Sequence, residues 1–107
     1  MSDARWVRVT VCENVPPREG RAVLVGDQEL ALFNLGDRFL ATDPHCPHEG
    51  GPLCDGIVAG DTIVCPLHAW KLSLDTGAVE RPTGRGECVV TYPTRVEDGI
   101  IMLGLPA

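Results

Sequence analysis

Basic side chains are scarce: 9 Lys and Arg stand against 15 Asp and Glu in 107 residues, for a net charge of −6. They are also scattered along the chain, so the basic stripe of a nucleic-acid binder is missing and no nucleic-acid partner is expected. An acidic surface suits a basic protein partner, and equally suits plain solubility. Long apolar runs are missing too. No stretch approaches the roughly 20 apolar residues that cross a bilayer. The opening MSDARWVRVT lacks the apolar core of a signal peptide. No membrane association and a cytoplasmic location are therefore expected. Internal repeats and low-complexity tracts are absent, and no segment of about ten residues keeps a clean helical period. There is no dinucleotide fingerprint, P-loop or flavin motif. Catalysis by this chain alone is thus not expected, and no catalytic residue is assigned.

What is present is a set of short Val- and Ile-rich runs separated by turn residues, the pattern of a small all-β domain. At 107 residues and 44% hydrophobic composition, the chain can bury one core, so a single domain over residues 1–107 is expected. RWVRVTVC alternates Val7, Val9 and Val11 against Arg8 and Thr10, as a half-buried strand would. RAVLVG, QELALFNLG and RFLAT follow, with Gly26-Asp27 and Gly36-Asp37 supplying hairpin turns in a meander. DTIVC and WKLSL give central strands. CVVTYPTRV, the EDG turn and IIMLGL give a closing hairpin, with Pro93 pushing its strand toward a sheet edge. About eight strands result, together with one loop-rich excursion over residues 44–61. Long excursions in compact domains are usually functional.

That excursion holds the chemistry. Five cysteines form an odd set, and a reducing compartment disfavours structural disulfides, so metal binding is the first question for them. Cys46-Pro47-His48 is a Cys-x-His pair, and Cys65-Pro66-Leu67-His68 is a Cys-x-x-His pair sixteen residues further on. Two thiolates and two imidazoles on two loops suit tetrahedral zinc, and equally suit a 2Fe-2S cluster with cysteines on one iron and histidines on the other. Spacing alone leaves both open. His45 lies outside the ligand register and reads as a surface histidine or one that supports a ligand without binding metal. Cys12, Cys54 and Cys88 read as buried thiols acting as small hydrophobes. Nothing basic stands beside Cys54 to favour a thiolate. Trp6 and Trp70 read as core or shielding aromatics.

CPHEGGPL together with CPLHAWKLSLDTG resembles the two cluster-binding loops of Rieske proteins, including the Pro after each Cys, the Gly50-Gly51 pair, Leu53 and the DTG turn. The resemblance extends over nearly the whole chain. It implies a Rieske-like (iron–sulfur protein) domain, an antiparallel barrel or sandwich, with cluster loops at about residues 44–55 and 64–70. It further implies one Rieske-type 2Fe-2S cluster per chain, with Cys46 and Cys65 on one iron and His48 and His68 on the other. Two ferric ions, two sulfides and two thiolates sum to a neutral centre, where four thiolates would leave a dianion. Reduction is accordingly easier, which places such centres roughly between −150 and +300 mV. At positions where Rieske proteins of cytochrome bc complexes resemble this chain but carry disulfide cysteines and hydroxyl donors, Gly51, Leu67, Trp70 and Leu72 stand here. Fewer donors to the sulfurs imply the low, ferredoxin-like end of that range.

Two soluble families compete. The Trp near the start, REGRAVLVG, CPLHAWKLSLDTGAVE and YPTRVEDGIIML resemble the small subunit of assimilatory NAD(P)H-dependent nitrite reductase. The alternative is the Rieske ferredoxin that serves aromatic-ring-hydroxylating dioxygenases. The first resemblance implies a large reductase subunit as partner, and the second an oxygenase and its reductase. A non-redox module that uses the metal site only as a staple is the third reading.

Overall fold

The computed structural model describes residues 4–47, 50–66, 69–82, 84 and 86–106. Eleven strands follow one another along the chain: β1 (Ala4–Val11), β2 (Gly20–Val25), β3 (Gln28–Asn34), β4 (Phe39–Thr42), β5 (Ile57–Ala59), β6 (Thr62–Val64), β7 (Lys71–Ser73), β8 (Val79–Arg81), β9 (Thr91–Tyr92), β10 (Thr94–Glu97) and β11 (Ile100–Pro106). They form three antiparallel sheets, in the orders β1-β11-β10, β2-β3-β4-β9 and β5-β6-β7-β8. The all-β expectation holds.

Strand β3 explains how the sheets stack. Its run LALFN is buried throughout, as a strand covered on both faces should be. Leu30 and Leu32 pack with Ala41, Ile101, Leu103 and Leu105, between the middle sheet and the β1-β11-β10 sheet. The alternate residues Ala31 and Phe33 pack with Val58, Ile63, Leu72 and the two cysteines Cys46 and Cys65, between the middle sheet and the β5–β8 sheet. Successive side chains point to opposite faces, so one strand serves two cores. Leu30, Leu32 and Phe33 are each fully buried and contribute roughly 1.5–3 kcal/mol apiece. The molecule is a three-layer sandwich whose middle layer joins both cores.

Several expectations need correction. The meander covers only β2, β3 and β4. β1 pairs with β11, at the other end of the chain, and not with β2. The alternation of β1 also breaks: the register shifts between Arg8 and Thr10, so Val9 occupies a bulge. An extra residue flips every later side chain to the other face, which is why Val7 and Val9 pack on the core while Val11 is 43% exposed. Residues 44–61 are loop-rich, as expected. They contain a 3-10 turn at Leu53–Asp55 and strand β5. β5 is apolar but only three residues long, β8 carries a single apolar residue, and both are held by pairing with β6 and β7. Pro93 acts as expected. It sits between β9, an edge of the middle sheet, and β10, an edge of the outer sheet, and its carbonyl accepts the Gly104 N–H at 2.9 Å.

Candidate metal centre

Cys46 and Cys65 are 3% and 2% exposed, and both belong to the core cluster between the middle and β5–β8 sheets. Each opens a short loop closed in the same way. The Cys46 N–H donates to the Gly51 carbonyl at 2.8 Å, and the Cys65 N–H donates to the Trp70 carbonyl at 2.7 Å. Both bonds therefore span from the cysteine to the fifth residue after it. The residue before each closing carbonyl is left-handed: Gly50 has φ +73° and Ala69 has φ +57°. Two loops unlike in sequence thus share one closing hydrogen bond and one left-handed residue, and in sequence His48 and His68 fall between the closing residues. These histidines lie outside the described residues. Among the described residues, no group of three or more His, Cys, Asp or Glu stands close enough to hold a metal ion.

The first loop is held at its base by the Leu53 N–H, which donates to the Pro44 carbonyl at 2.9 Å, and by a bridge between His45 and Pro52. The Gly50 N–H donates to the Cys46 carbonyl at 3.1 Å, so it closes the turn, while Gly51 is buried. Upstream, the Asp43 N–H bonds the Val90 carbonyl at 2.9 Å. The Tyr92 hydroxyl donates to Asp43 Oδ1 at 2.6 Å, and Gln28 Nε2 donates to the Tyr92 oxygen at 3.2 Å. Burial first, then the hydrogen bond to Asp43 and its charge, pushes the Tyr92 phenol up to about 12. This tether is 49 residues long in sequence and leaves no local signal there. The second loop runs straight from β6 into β7. Trp70 and Leu72 are buried behind it, and the DTG turn follows. In that turn the Gly77 N–H donates to the Ser73 carbonyl at 2.8 Å and the Thr76 N–H to Ser73 Oγ at 3.2 Å. A Cβ on Gly77 would lie 2.0 Å from the Val89 carbonyl oxygen, so only glycine fits.

The other sulfurs stand apart. Cys54 is half-buried against the same core, and its thiol is pushed up by burial and then by the Asp55 charge. It is therefore a poor thiolate. Cys12 is half-buried on the second core. Cys88 corrects the expectation of a buried thiol: it is exposed. It bridges Ala78 in extended backbone, and its neighbour Val89 takes the inward position. His45 is exposed. Trp70 is a core residue as expected. Trp6 is half-buried and lies under the Arg95 guanidinium at 4.2 Å.

A family model for the Rieske [2Fe-2S] domain matches residues 5–93. The chain belongs to the Rieske family. The Rieske cofactor is a 2Fe-2S centre, and two buried thiols on matched loops, in a dry apolar cluster, fit its sulfur-ligated side. When bound, the centre supplies one-electron redox chemistry. The ferredoxin subunit of 3-phenylpropionate/cinnamic acid dioxygenase from Escherichia coli (strain K12) is 35% identical to this Rieske chain over 102 residues, 92% of this chain and 94% of its own. Among solved structures, a protein assigned as an NADH-dependent nitrite reductase small subunit from Mycobacterium tuberculosis superposes with TM-score 0.86 at 27% identity, covering 97% of each chain. The Sphingomonas yanoikuyae B1 ferredoxin superposes with TM-score 0.83 at 29% identity, covering 95% of this chain and 100% of its own. No helix among the described residues is long and apolar enough to cross a membrane.

Proposed function

We propose that this Rieske electron-transfer protein is the small subunit of a cytoplasmic NAD(P)H-dependent nitrite reductase of nitrite assimilation. In this reading Cys46 and Cys65 hold one iron of the centre, His48 and His68 hold the other, and a large subunit supplies the catalysis. The observation that carries it is the second loop with its support. CPLHAWKLSLDTG puts Trp70 and Leu72 into the core directly behind Cys65, and the chain superposes end to end on the mycobacterial protein. The chain's own work is positional. The backbone brackets hold Cys46 and Cys65 in place, and Leu53, Leu72 and Trp70 keep water from the thiolates. Leu72 offers no hydroxyl where a donor would raise the potential, which supports a centre at the low end of the Rieske range.

A second reading has its own support: the curated relatives include dioxygenase ferredoxins at 35% identity over most of both chains. Reconstitution separates the two. Mixed with the large nitrite reductase subunit from the same genome, the holoprotein is expected to make NAD(P)H oxidation depend on nitrite and on this chain. Failure there, with rapid reduction of a ring-hydroxylating oxygenase instead, would replace the first reading by the second.

A further inference from the structure

The face of the β1-β11-β10 sheet that points away from the core is open, and its composition is unusual for a solvated surface. Ile101, Leu103 and Leu105 point inward, so their neighbours on β11 point out. Residues directly opposite one another on paired strands share a face, and three rows follow from the register. Trp6 lies opposite Gly104, and the Arg95 guanidinium lies 4.2 Å from its ring. Arg8 and Arg95 flank Met102. Val11 and Glu97 flank Ile100, because the bulge in β1 has turned Val11 outward. Trp, Met and Arg are the residue types enriched in protein interfaces. Arg95 is also held in place, stacked on Trp6 and paired with Glu97 at 2.9 Å. Among the described residues, no strand besides β1, β10 and β11 joins this sheet.

We propose that this face docks a different protein, one that presents an apolar side chain flanked by carboxylates. The middle row, Arg8-Met102-Arg95, decides between that partner and a second copy. A two-fold contact centred on Met102 would set arginine against arginine along either in-plane axis, in a chain with few bases to spare. A partner that presents one carboxylate to Arg8 and another to the Arg95 guanidinium where it lies over Trp6 would meet both. The position also matters. The cluster loops belong to the core on the far side of the middle sheet, so a partner seated here leaves the metal end uncovered. The patch measures about 14 by 20 Å in plan, well below the roughly 800 Å² per partner of a stable interface. To hold a subunit permanently it must therefore act with a second contact. The assignment rests on the nitrite reductase reading and names its partner: the large subunit.

The test is the affinity of holoprotein for that large subunit, with Arg8→Glu as the main variant and Trp6→Ala as the second; the cluster spectrum and potential serve as controls of folding. The expected result is a Kd raised at least tenfold by Arg8→Glu with spectrum and potential unchanged, and a comparable loss in Trp6→Ala. Wild-type binding with both variants within twofold of it overturns the docking face and leaves the nitrite reductase reading standing. Absence of wild-type binding overturns that reading and the assignment together. A wild-type homodimer that Arg8→Glu converts to monomer shows that the face is occupied by a second copy, and overturns the proposed partner.

Discussion

Replacing Ala69 by glycine should make the protein more stable, although Ala-to-Gly changes usually do the reverse. Ala69 has φ +57°, where an L side chain crowds its own carbonyl at a cost of roughly 1–2 kcal/mol. Glycine removes that cost but loses about 0.4–1 kcal/mol through the freer unfolded chain. The balance is a gain of about 0.5–1 kcal/mol, or about 2–5 °C in Tm for a chain of this size. The matched loop supplies the reciprocal experiment. Gly50 has φ +73° and a Cβ there would meet nothing within 4 Å, so Gly50→Ala should cost about 1 kcal/mol of purely torsional origin. Ala22 is exposed in β2 and has no positive φ; Ala22→Gly should lose about 0.5–1 kcal/mol. Denaturant unfolding followed by circular dichroism, on anaerobic holoprotein and on apoprotein, would measure all three. If Ala69→Gly destabilises by as much as Ala22→Gly, the shared backbone design of the two loops is wrong.

Gly77→Ala should cost about 3 kcal/mol or more, since its Cβ would meet the Val89 carbonyl at 2.0 Å, while Gly84→Ala, with φ +80° but open space, should cost only about 1 kcal/mol; thermal melts would compare them. Tyr92 is the sole tyrosine, so absorbance titration reads it directly. Its phenol should ionise at about 12, and Asp43→Asn should lower that value. The linkage has a definite sign: a pKa raised on folding adds stability that is complete below pH 10, the ordinary phenol value, and is lost as pH rises through about 12. The tyrosine is partly exposed, so screening reduces this to about 1 kcal/mol, and a Tyr92→Phe protein should show no such alkaline loss. Cys46→Ser and Cys65→Ser should each abolish bound iron and labile sulfide, whereas Cys12→Ser, Cys54→Ser and Cys88→Ser should retain about two of each per chain. Iron loss from Cys54→Ser equal to that from Cys46→Ser would show the ligand set is misassigned.

The sequence by itself determined the fold class, most of the strands and the identity of the chemistry. Period-2 alternation and Gly-Asp turns are local signals, and so are the loop segments CPHEGGPL and CPLHAWKLSLDTG, whose resemblance to Rieske loops singles out the cluster where Cys/His spacing alone does not. Only the tertiary structure decided the rest. β1 finds β11 from the far end of the chain, a partner that no short window of sequence contains, and β5 and β8, three residues each, are held as strands by the edges of β6 and β7. The bulge at Val9 turned Val11 from a core position to the surface, and extended backbone in a bridge left Cys88 outside while Val89 went in. One shifted residue inverts a face, so composition cannot reveal it. The likeness of the two loops is tertiary as well: CPHEGG and CPLHAW share only Cys-Pro and one histidine apiece. Their identical closure follows from backbone hydrogen bonds and a left-handed residue that Gly50 adopts freely and Ala69 adopts only because the surrounding fold holds it there.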